Sequence, residues 1–139
     1  MEFNYYALHF HMKSGGVKIV IENLMKAFSD YSENRFSLIE SGKQLDYKPP
    51  INIEHIKIPE LNYDDTYFDS YNELEDKAKN LMQKIESSMD FSKFSVLHAH
   101  NINLFKNPYA GLALKLLSDK HKENLLILMQ VHDFAEDSR

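Results

Sequence analysis

The chain has 139 residues, of which 43% are hydrophobic and 27% are charged, and its formal net charge is -5. This length fits one domain with a substantial core, and the composition is ordinary for a globular protein. The negative charge argues against a nucleic-acid partner, because neutralising a phosphate backbone needs clustered lysines and arginines.

Signals for membrane insertion and secretion are absent from the sequence. No uninterrupted apolar run approaches the ~20 residues that a membrane-spanning helix needs, which leaves only peripheral membrane contact open. The first residues lack the basic stretch and apolar core of a secretory signal peptide, and the chain has no cysteine. We therefore expect a cytoplasmic protein without disulfide bonds.

The first half of the chain predicts three strands and one helix. Residues 5–12 form a mostly apolar run, typical of a central parallel strand covered on both faces. After Gly15 and Gly16, apolar residues recur up to residue 31 with the spacing of a helix that buries one face. Residues 36–39 and 53–58 predict two short strands, and their short connection leaves the direction of the second one open.

The second half begins with residues 59–70, an acidic segment with several aromatic residues. We interpret it as a solvated loop, with lining of an acceptor site as the alternative. The pattern then predicts an amphipathic helix over residues 71–89, a strand over 94–98, and a helix from Asn107 and Pro108 to about residue 120. Residues 125–131 predict a fifth, fully buried strand.

The order of these elements predicts an α/β fold. The predicted architecture is an open, mostly parallel, Rossmann-like sheet with helices on both faces. If the strand order is 3-2-1-4-5, strands one, four and five are neighbours. No covering helix follows the last strand, so this strand would keep a bare face or edge. We therefore expect residues 1–139 to be one domain of a longer protein.

Polar residues collect where three predicted strands end. In open parallel sheets, ligands bind beyond the carboxyl ends of the strands. The residues at these ends are His9 and His11 at the end of the first strand with Ser14, Gly15 and Gly16 after it, His98, His100 and Asn101 at the fourth, and His132 and Asp133 after the fifth. The glycine turn suits an anion such as phosphate, since freed backbone N–H groups and a helix N-terminus point at its guest.

The histidines and the glycine pair also have structural interpretations. His9 and His11 share one face of the predicted strand, and each can be a core histidine or a binding residue. A structural role is preferred for His98, while functional roles are expected for His100 with Asn101 and above all for His132. The glycine pair can be a simple tight turn, because it lacks the full dinucleotide-binding fingerprint.

Three segments carry a resemblance to a known family. They are Ser14-Gly15-Gly16-Val17 followed by Glu22-Asn23-Leu24, then Val96-Leu97-His98-Ala99-His100-Asn101, and finally Val131-His132-Asp133. In order and spacing they resemble the glycine loop and first helix, the Val-x-His-x-His strand end and the histidine-ending strand of the N-terminal domain in retaining GT-B glycosyltransferases of the large family 4. Lys18 stands where that family commonly has glutamate.

The resemblance implies that residues 1–139 are the acceptor-side, Rossmann-like half of a GT-B architecture. A C-terminal domain, absent from this chain, would bind the nucleotide-sugar donor, and a hexosyl group would pass to a glycan, lipid or small-molecule acceptor without a further cofactor or a metal. Gly15 and Gly16 would contact the donor diphosphate, His132 would be the catalytic residue near the transferred sugar, and His11, His100, Asn101 and Asp133 would bind substrate. The domain alone would be inactive.

Two other functions remain as alternatives. A metal-dependent hydrolase could use the histidine-rich edge, because a His-x-His strand end places two imidazoles on one side and Asp133 could add a carboxylate. A stand-alone nucleotide- or phosphate-binding module of Rossmann type is the other possibility.

Overall fold

The computed structural model describes residues 2–30 and 34–132, and in these ranges five strands and three α-helices form an α/β domain. The strands are β1 (Phe3–Leu8), β2 (Arg35–Glu40), β3 (Glu54–Lys57), β4 (Phe94–His100) and β5 (Leu125–Gln130), and the helices are α1 (Gly16–Ser29), α2 (Tyr71–Ser87) and α3 (Ala110–Lys120). Two short 3₁₀ turns lie at Pro59–Leu61 and Ile102–Leu104.

All five strands are parallel and lie in the order β3-β2-β1-β4-β5. This is the order that the sequence interpretation considered, and the structure establishes the direction of β3. The sheet is thus parallel throughout, where the sequence predicted it to be mostly so. The chain leads away from β1 toward β2 on one side and returns to β4 on the other, so β1 and β4 flank the switch point of the sheet.

Helices cover both faces of the sheet, as predicted. Because successive strand side chains point to opposite faces, Tyr5 and Ala7 of β1 pack in one cluster with Ile21 of α1. Tyr6 and Leu8 belong to the opposite cluster, which is built with α2 and α3. His98 and His100 of β4 lie on the α1 face of the sheet, because they follow Val96 by two and four residues and Val96 packs against the α1 cluster.

The carboxyl ends of two strands differ by more than one residue from the predicted ones. β1 ends at Leu8 rather than at residue 12, and β4 continues to His100 rather than ending at residue 98. The apolar run after Leu8 reflects burial instead of strand pairing, because Phe10 and Met12 each enter one of the two cores. His9 and His11 therefore lie in the segment after the strand, and the predicted common strand face does not exist.

The predicted full burial of β5 is wrong. Leu126 and Leu128 expose 46% and 41% of their surface, and Met129 exposes 55%. β5 pairs only with β4, and no helix within the part that the structure describes covers the face of Leu126 and Leu128. The exposed side chains confirm the bare face predicted for the last strand.

The segment 59–70 is less solvated than predicted. Leu61 is buried, and the side-chain amide of the buried Asn107 donates to the carbonyls of Glu60 and Asn62 at 2.8 and 2.9 Å. The reason is that Asn107 supplies partners for backbone groups that a loop would otherwise have to expose. Asn107 also accepts the N–H groups of Tyr109 and Ala110, so it caps α3, although the helix itself begins at Ala110.

The three helices that the structure describes are either too short or too polar to cross a bilayer.

Candidate functional site

A cavity of about 250 Å³ lies at the carboxyl edge of the sheet, beside the switch point. Its walls come from the segment between β1 and α1, from the loop after β4, and from Tyr63 and Lys106. A larger cavity of about 630 Å³ lies at the opposite edge, where Arg35 and Glu54 begin β2 and β3. Ligands of open parallel sheets bind at the carboxyl edge, so the smaller cavity is the candidate site.

The glycine turn forms one wall of this cavity. Gly15 has φ 157° and ψ 175°, a conformation that other residues rarely adopt, and α1 starts at the next residue. No side chain caps this 14-residue helix at its N-terminus, and its first turn contains no acidic residue. The first N–H groups of α1 and its positive dipole end are therefore available to an anion.

Three lysines surround the turn, namely Lys13, Lys18 and Lys106, and no aspartate or glutamate of the described residues lines the cavity. Lys18 lies 3.8 Å from Glu22 on the same helix. Within residues 2–30 and 34–132, Lys13 and Lys106 form no ion pair. The cavity is thus positively charged, although the net charge of the chain is negative.

His11 and Tyr63 form the wall opposite the glycine turn. The Nδ1 atom of His11 accepts the backbone N–H of Lys13 at 3.3 Å, and Nε2 lies 2.9 Å from the Tyr63 hydroxyl. Partial burial and the nearby Lys13 ammonium hold the pKa of His11 below its usual range. A neutral His11 therefore carries its proton on Nε2 and donates it to Tyr63.

The other histidines form a stack on the α1 face of β4 and β5. The ring centroids of His98 and His100 are 4.2 Å apart, and those of His100 and His132 are 5.2 Å apart. His100 Nδ1 lies 2.9 Å from His132 Nε2. Burial, with smaller contributions from the neighbouring imidazoles, lowers the pKa of the fully buried His100 to about 3, so this residue is neutral at pH 7.

His9 and His98 are held by bonds within the fold. His9 Nδ1 donates to the carbonyl of His100 at 3.1 Å, and burial lowers the pKa of His9 to about 4. His98 Nδ1 is hydrogen-bonded to the hydroxyl of Tyr5, whose pKa burial raises to about 12. His98 thus has the structural role expected of it, and His9 joins β1 to β4 while touching the cavity.

Asn101 connects the cavity with the end of β5. Its backbone is left-handed at φ 58°, a conformation that asparagine tolerates better than most residues. Its N–H donates to the carbonyl of Gln130 at 2.9 Å, and its Oδ1 accepts the N–H of His132 at 2.7 Å. Asn101 therefore lines the cavity and fixes the backbone of His132 at the same time.

The structure brings Gly15, Gly16, His11 and Asn101 together around one cavity. His100 is fully buried beneath the edge and reaches it only through His132, which is half-buried there. Asp133 lies outside the described residues.

The sequence interpretation did not include Lys13, Lys18, Lys106 and Tyr63 in the site. Lys18 was visible as a departure from the resembled motif, and Tyr63 lies in the segment that carried the acceptor alternative. Nothing in the sequence pattern singled out Lys13 or Lys106.

In the described ranges, no three histidine, cysteine, aspartate or glutamate side chains are arranged to hold a metal ion. The imidazoles of β4 stack on one another instead of converging on a common point. That the site works without a metal stays a prediction.

The chain is 32% identical over 146 residues to mannosylglucosyl-3-phosphoglycerate synthase of Petrotoga mobilis, and the match covers 98% of this chain. The similarity supports a glycosyltransferase. The chain spans 27% of the length of that relative. No family model matches the chain, and no solved structure matches it.

A positively charged cavity at a helix N-terminus is a feature that a glycosyltransferase with a nucleotide-sugar donor can use. The leaving group of such a donor is a nucleoside diphosphate, which gathers negative charge as the bond to the sugar breaks. Fixed N–H dipoles and lysines act most strongly on charge that develops in the transition state. The positive cavity at the α1 N-terminus provides both.

Proposed function

We propose that the protein is a retaining glycosyltransferase of GT-B fold and family 4 type, and that residues 1–139 form its N-terminal, acceptor-side domain. A second domain would bind the nucleotide of the donor, and a hexosyl group would be transferred in the cleft between the domains. The observation that carries this proposal is the uncapped N-terminus of α1 in a cavity whose charged lining, in the part of the chain that the structure describes, consists of three lysines.

The glycine turn is proposed to receive the donor diphosphate. An added Cβ on Gly16 would meet no heavy atom within 4 Å, so the space in front of the turn is open to a ligand. The N–H groups of the first turn of α1 would bind phosphate oxygens more strongly as the leaving group becomes charged. His132, at the end of β5, is proposed to contact the transferred sugar, and neither element acts as a nucleophile.

The acceptor is proposed to carry a negatively charged group. The name of the Petrotoga relative contains 3-phosphoglycerate, which bears a phosphate and a carboxylate. A second cavity of about 410 Å³ shares Ser14 and Lys18 with the first one and adds Lys48. Its carboxylate, Asp46, already accepts a hydrogen bond from Gln44 at 2.8 Å. Lys18, which lines both cavities, is therefore proposed to lie between a donor and an acceptor subsite and to contact the anionic acceptor.

The test is a donor-hydrolysis screen of the whole protein against a panel of nucleotide-sugars. We expect one hexose donor to be turned over, and transfer to be faster with a phosphorylated acceptor than with its dephosphorylated form. Absence of turnover with every donor, or a stoichiometric metal that persists through dialysis and is required for hydrolysis of another substrate, would contradict the proposal.

Replacement of Lys18 tests the acceptor assignment. Lys18→Gln should raise KM for the phosphorylated acceptor about tenfold, because a hydrogen bond to a charged group contributes about 1.5–3 kcal/mol. KM for the dephosphorylated acceptor should stay the same. Lys79→Gln is the matched control, since Lys79 is paired with Glu75 on α2, away from the cavity. Equal KM changes for both acceptors in Lys18→Gln would exclude a direct contact with the acceptor phosphate.

A further inference from the structure

The ring of His132 is held from below by a residue that does not touch the cavity. His100 Nδ1 lies 2.9 Å from His132 Nε2, and the two rings are nearly parallel and meet edge to edge, with an interplanar angle of 18° and 5.2 Å between their centroids. Asn101, the next residue along the chain, accepts the backbone N–H of His132. The end of β4 therefore fixes both the backbone and the ring of His132.

The direction of this hydrogen bond follows from the surroundings of His100. When two neutral imidazoles face each other through nitrogen atoms, one must donate and the other accept. The Nε2 atom of His100 is buried and has no hydrogen-bond partner in the part of the chain that the structure describes. A buried N–H without a partner is the less tolerated of the two unpaired forms. The proton of His100 is therefore assigned to Nδ1, which donates it to His132 Nε2.

This hydrogen bond from His100 allows only one tautomer of a neutral His132. Its Nε2 accepts from His100, so its proton must be on Nδ1, and this N–H points away from His100. A histidine in this tautomer presents a donor, which suits a sugar hydroxyl oxygen. On its other side, His100 packs against His98, with 4.2 Å between the ring centroids, and His98 is hydrogen-bonded to Tyr5 in the core. His100 therefore has a rigid support.

We propose that His100 is a positioning residue, which fixes His132 in the Nδ1–H tautomer and in the ring orientation needed to donate to the transferred sugar. This inference rests on the proposed function for the role of His132, whereas the tautomer itself is a property of the protein without substrate. His100 does not contact the substrate in this arrangement, because it is fully buried.

The tautomer of His132 can be measured directly by long-range ¹H–¹⁵N NMR of the imidazole nitrogens in the whole protein at neutral pH. We expect a protonated Nδ1 and an unprotonated Nε2 at His132. In His100→Phe, which keeps a flat ring without a donor, the Nδ1–H population should fall. In His100→Asn, whose amide can still donate near the position of Nδ1, it should be retained. His121→Phe is the matched control, since His121 is paired with Glu86 away from the site.

Kinetics of the same variants complete the test. His100→Phe should lower kcat about tenfold with little change in KM for the donor, the equivalent of one hydrogen bond lost in the transition state, and His100→Asn should restore most of kcat. Thermal unfolding of each variant verifies that it is folded.

The NMR and the kinetic measurements can each overturn the inference. An Nε2–H tautomer in the unaltered protein, or an unchanged tautomer in a folded His100→Phe, would overturn the inference. A changed tautomer with unchanged kcat would also overturn it. If no nucleotide-sugar is turned over, the proposed function fails, and the NMR result still decides whether His100 sets the tautomer of His132.

Discussion

Gly15 and Gly16 are adjacent but are constrained by different features of the turn. Gly15 adopts φ 157°, so its constraint is the backbone conformation. Gly16 is the first residue of α1 and has open space where a Cβ would stand, so the folded chain itself does not require glycine there. At the scale of single residues, the structure thus separates a folding requirement from a binding requirement.

Gly16→Val is expected to lower turnover of the whole protein by tenfold or more, because the branched side chain would occupy the space of an approaching phosphate. Its Tm should change little, since valine costs less than about 1 kcal/mol near a helix start. Steady-state kinetics and calorimetry measure the two effects. Unchanged kinetics would remove the glycine turn from the donor site.

Gly15→Ala provides the contrast and should lower the free energy of unfolding by about 1–2 kcal/mol through backbone strain. Gly111→Ala on α3 is the control, because its Cβ would make an ordinary 4.0 Å contact with Ile102. That substitution should be neutral or slightly stabilising. A Gly15→Ala variant as stable as the unaltered protein would show that the turn relaxes easily.

His132→Ala should lower kcat more than it lowers nucleotide affinity, provided that His132 contacts the sugar and not the diphosphate. Turnover assays and calorimetric titration with the nucleoside diphosphate measure the two quantities. An equal loss of both would place His132 at the nucleotide instead. His121→Ala offers a comparison, since His121 is paired with Glu86 and stacked on Phe91 away from the site.

At the scale of elements, β4 and its extension contribute most to the site. β4 carries His98 and His100, and the residues after it supply Asn101 and the 3₁₀ turn that lines the cavity. Farther on, the buried Asn107 joins the start of α3 to the 59–62 segment, so that Tyr63 can reach His11. A polar side chain therefore connects two segments that also pack in the same hydrophobic core.

Asn107→Ala should reduce the free energy of unfolding by roughly 2–4 kcal/mol, because it removes a helix cap and leaves buried backbone carbonyls without donors. Urea unfolding measures the loss. Asn107→Asp separates the two roles, since it keeps the acceptor for the N–H groups of Tyr109 and Ala110 but loses the amide donor. If both variants are as stable as the unaltered protein, the interpretation of Asn107 as a link between the two segments is wrong.

At the scale of the whole molecule, the buried histidines couple stability to pH. The pKa of His9 is lowered to about 4 and that of His100 to about 3, chiefly by burial, from an unfolded value near 6.5. The unfolded chain therefore binds more protons than the folded chain below pH 6.5. The stabilisation is complete above pH 6.5 and is lost as the pH falls toward 4.

Urea unfolding between pH 7.5 and pH 5 should show this dependence. Each of the two histidines is expected to remove up to about 2 kcal/mol from the free energy of unfolding over this range, in which most carboxylates stay ionised. His100→Asn should reduce the slope, because one of the two groups is then gone. A free energy of unfolding that is the same at both pH values would contradict the neutral, buried state of these histidines.

The sequence by itself determined which helices and strands form and in what order they follow one another along the chain. Amphipathic spacing after Gly16 and over residues 71–89 marked α1 and α2, because side-chain burial repeats locally with the period of a helix. The rules for connections in a parallel sheet then leave few strand orders, and the observed order is the one that the sequence interpretation considered. The glycine turn and the polar strand ends marked the correct edge of the sheet, since that rule follows from topology alone.

Only the tertiary structure decided which residues meet at that edge. Lys13 and Lys106 face one cavity, and Tyr63 closes it, because segments distant in sequence are packed together there. An apolar run cannot show whether it is paired in a sheet or inserted in a core, which is why β1 ends at Leu8 although Phe10 is buried. The sequence placed His100 at the end of the fourth strand. Its burial beneath His132 depends on neighbouring segments that only the fold brings together.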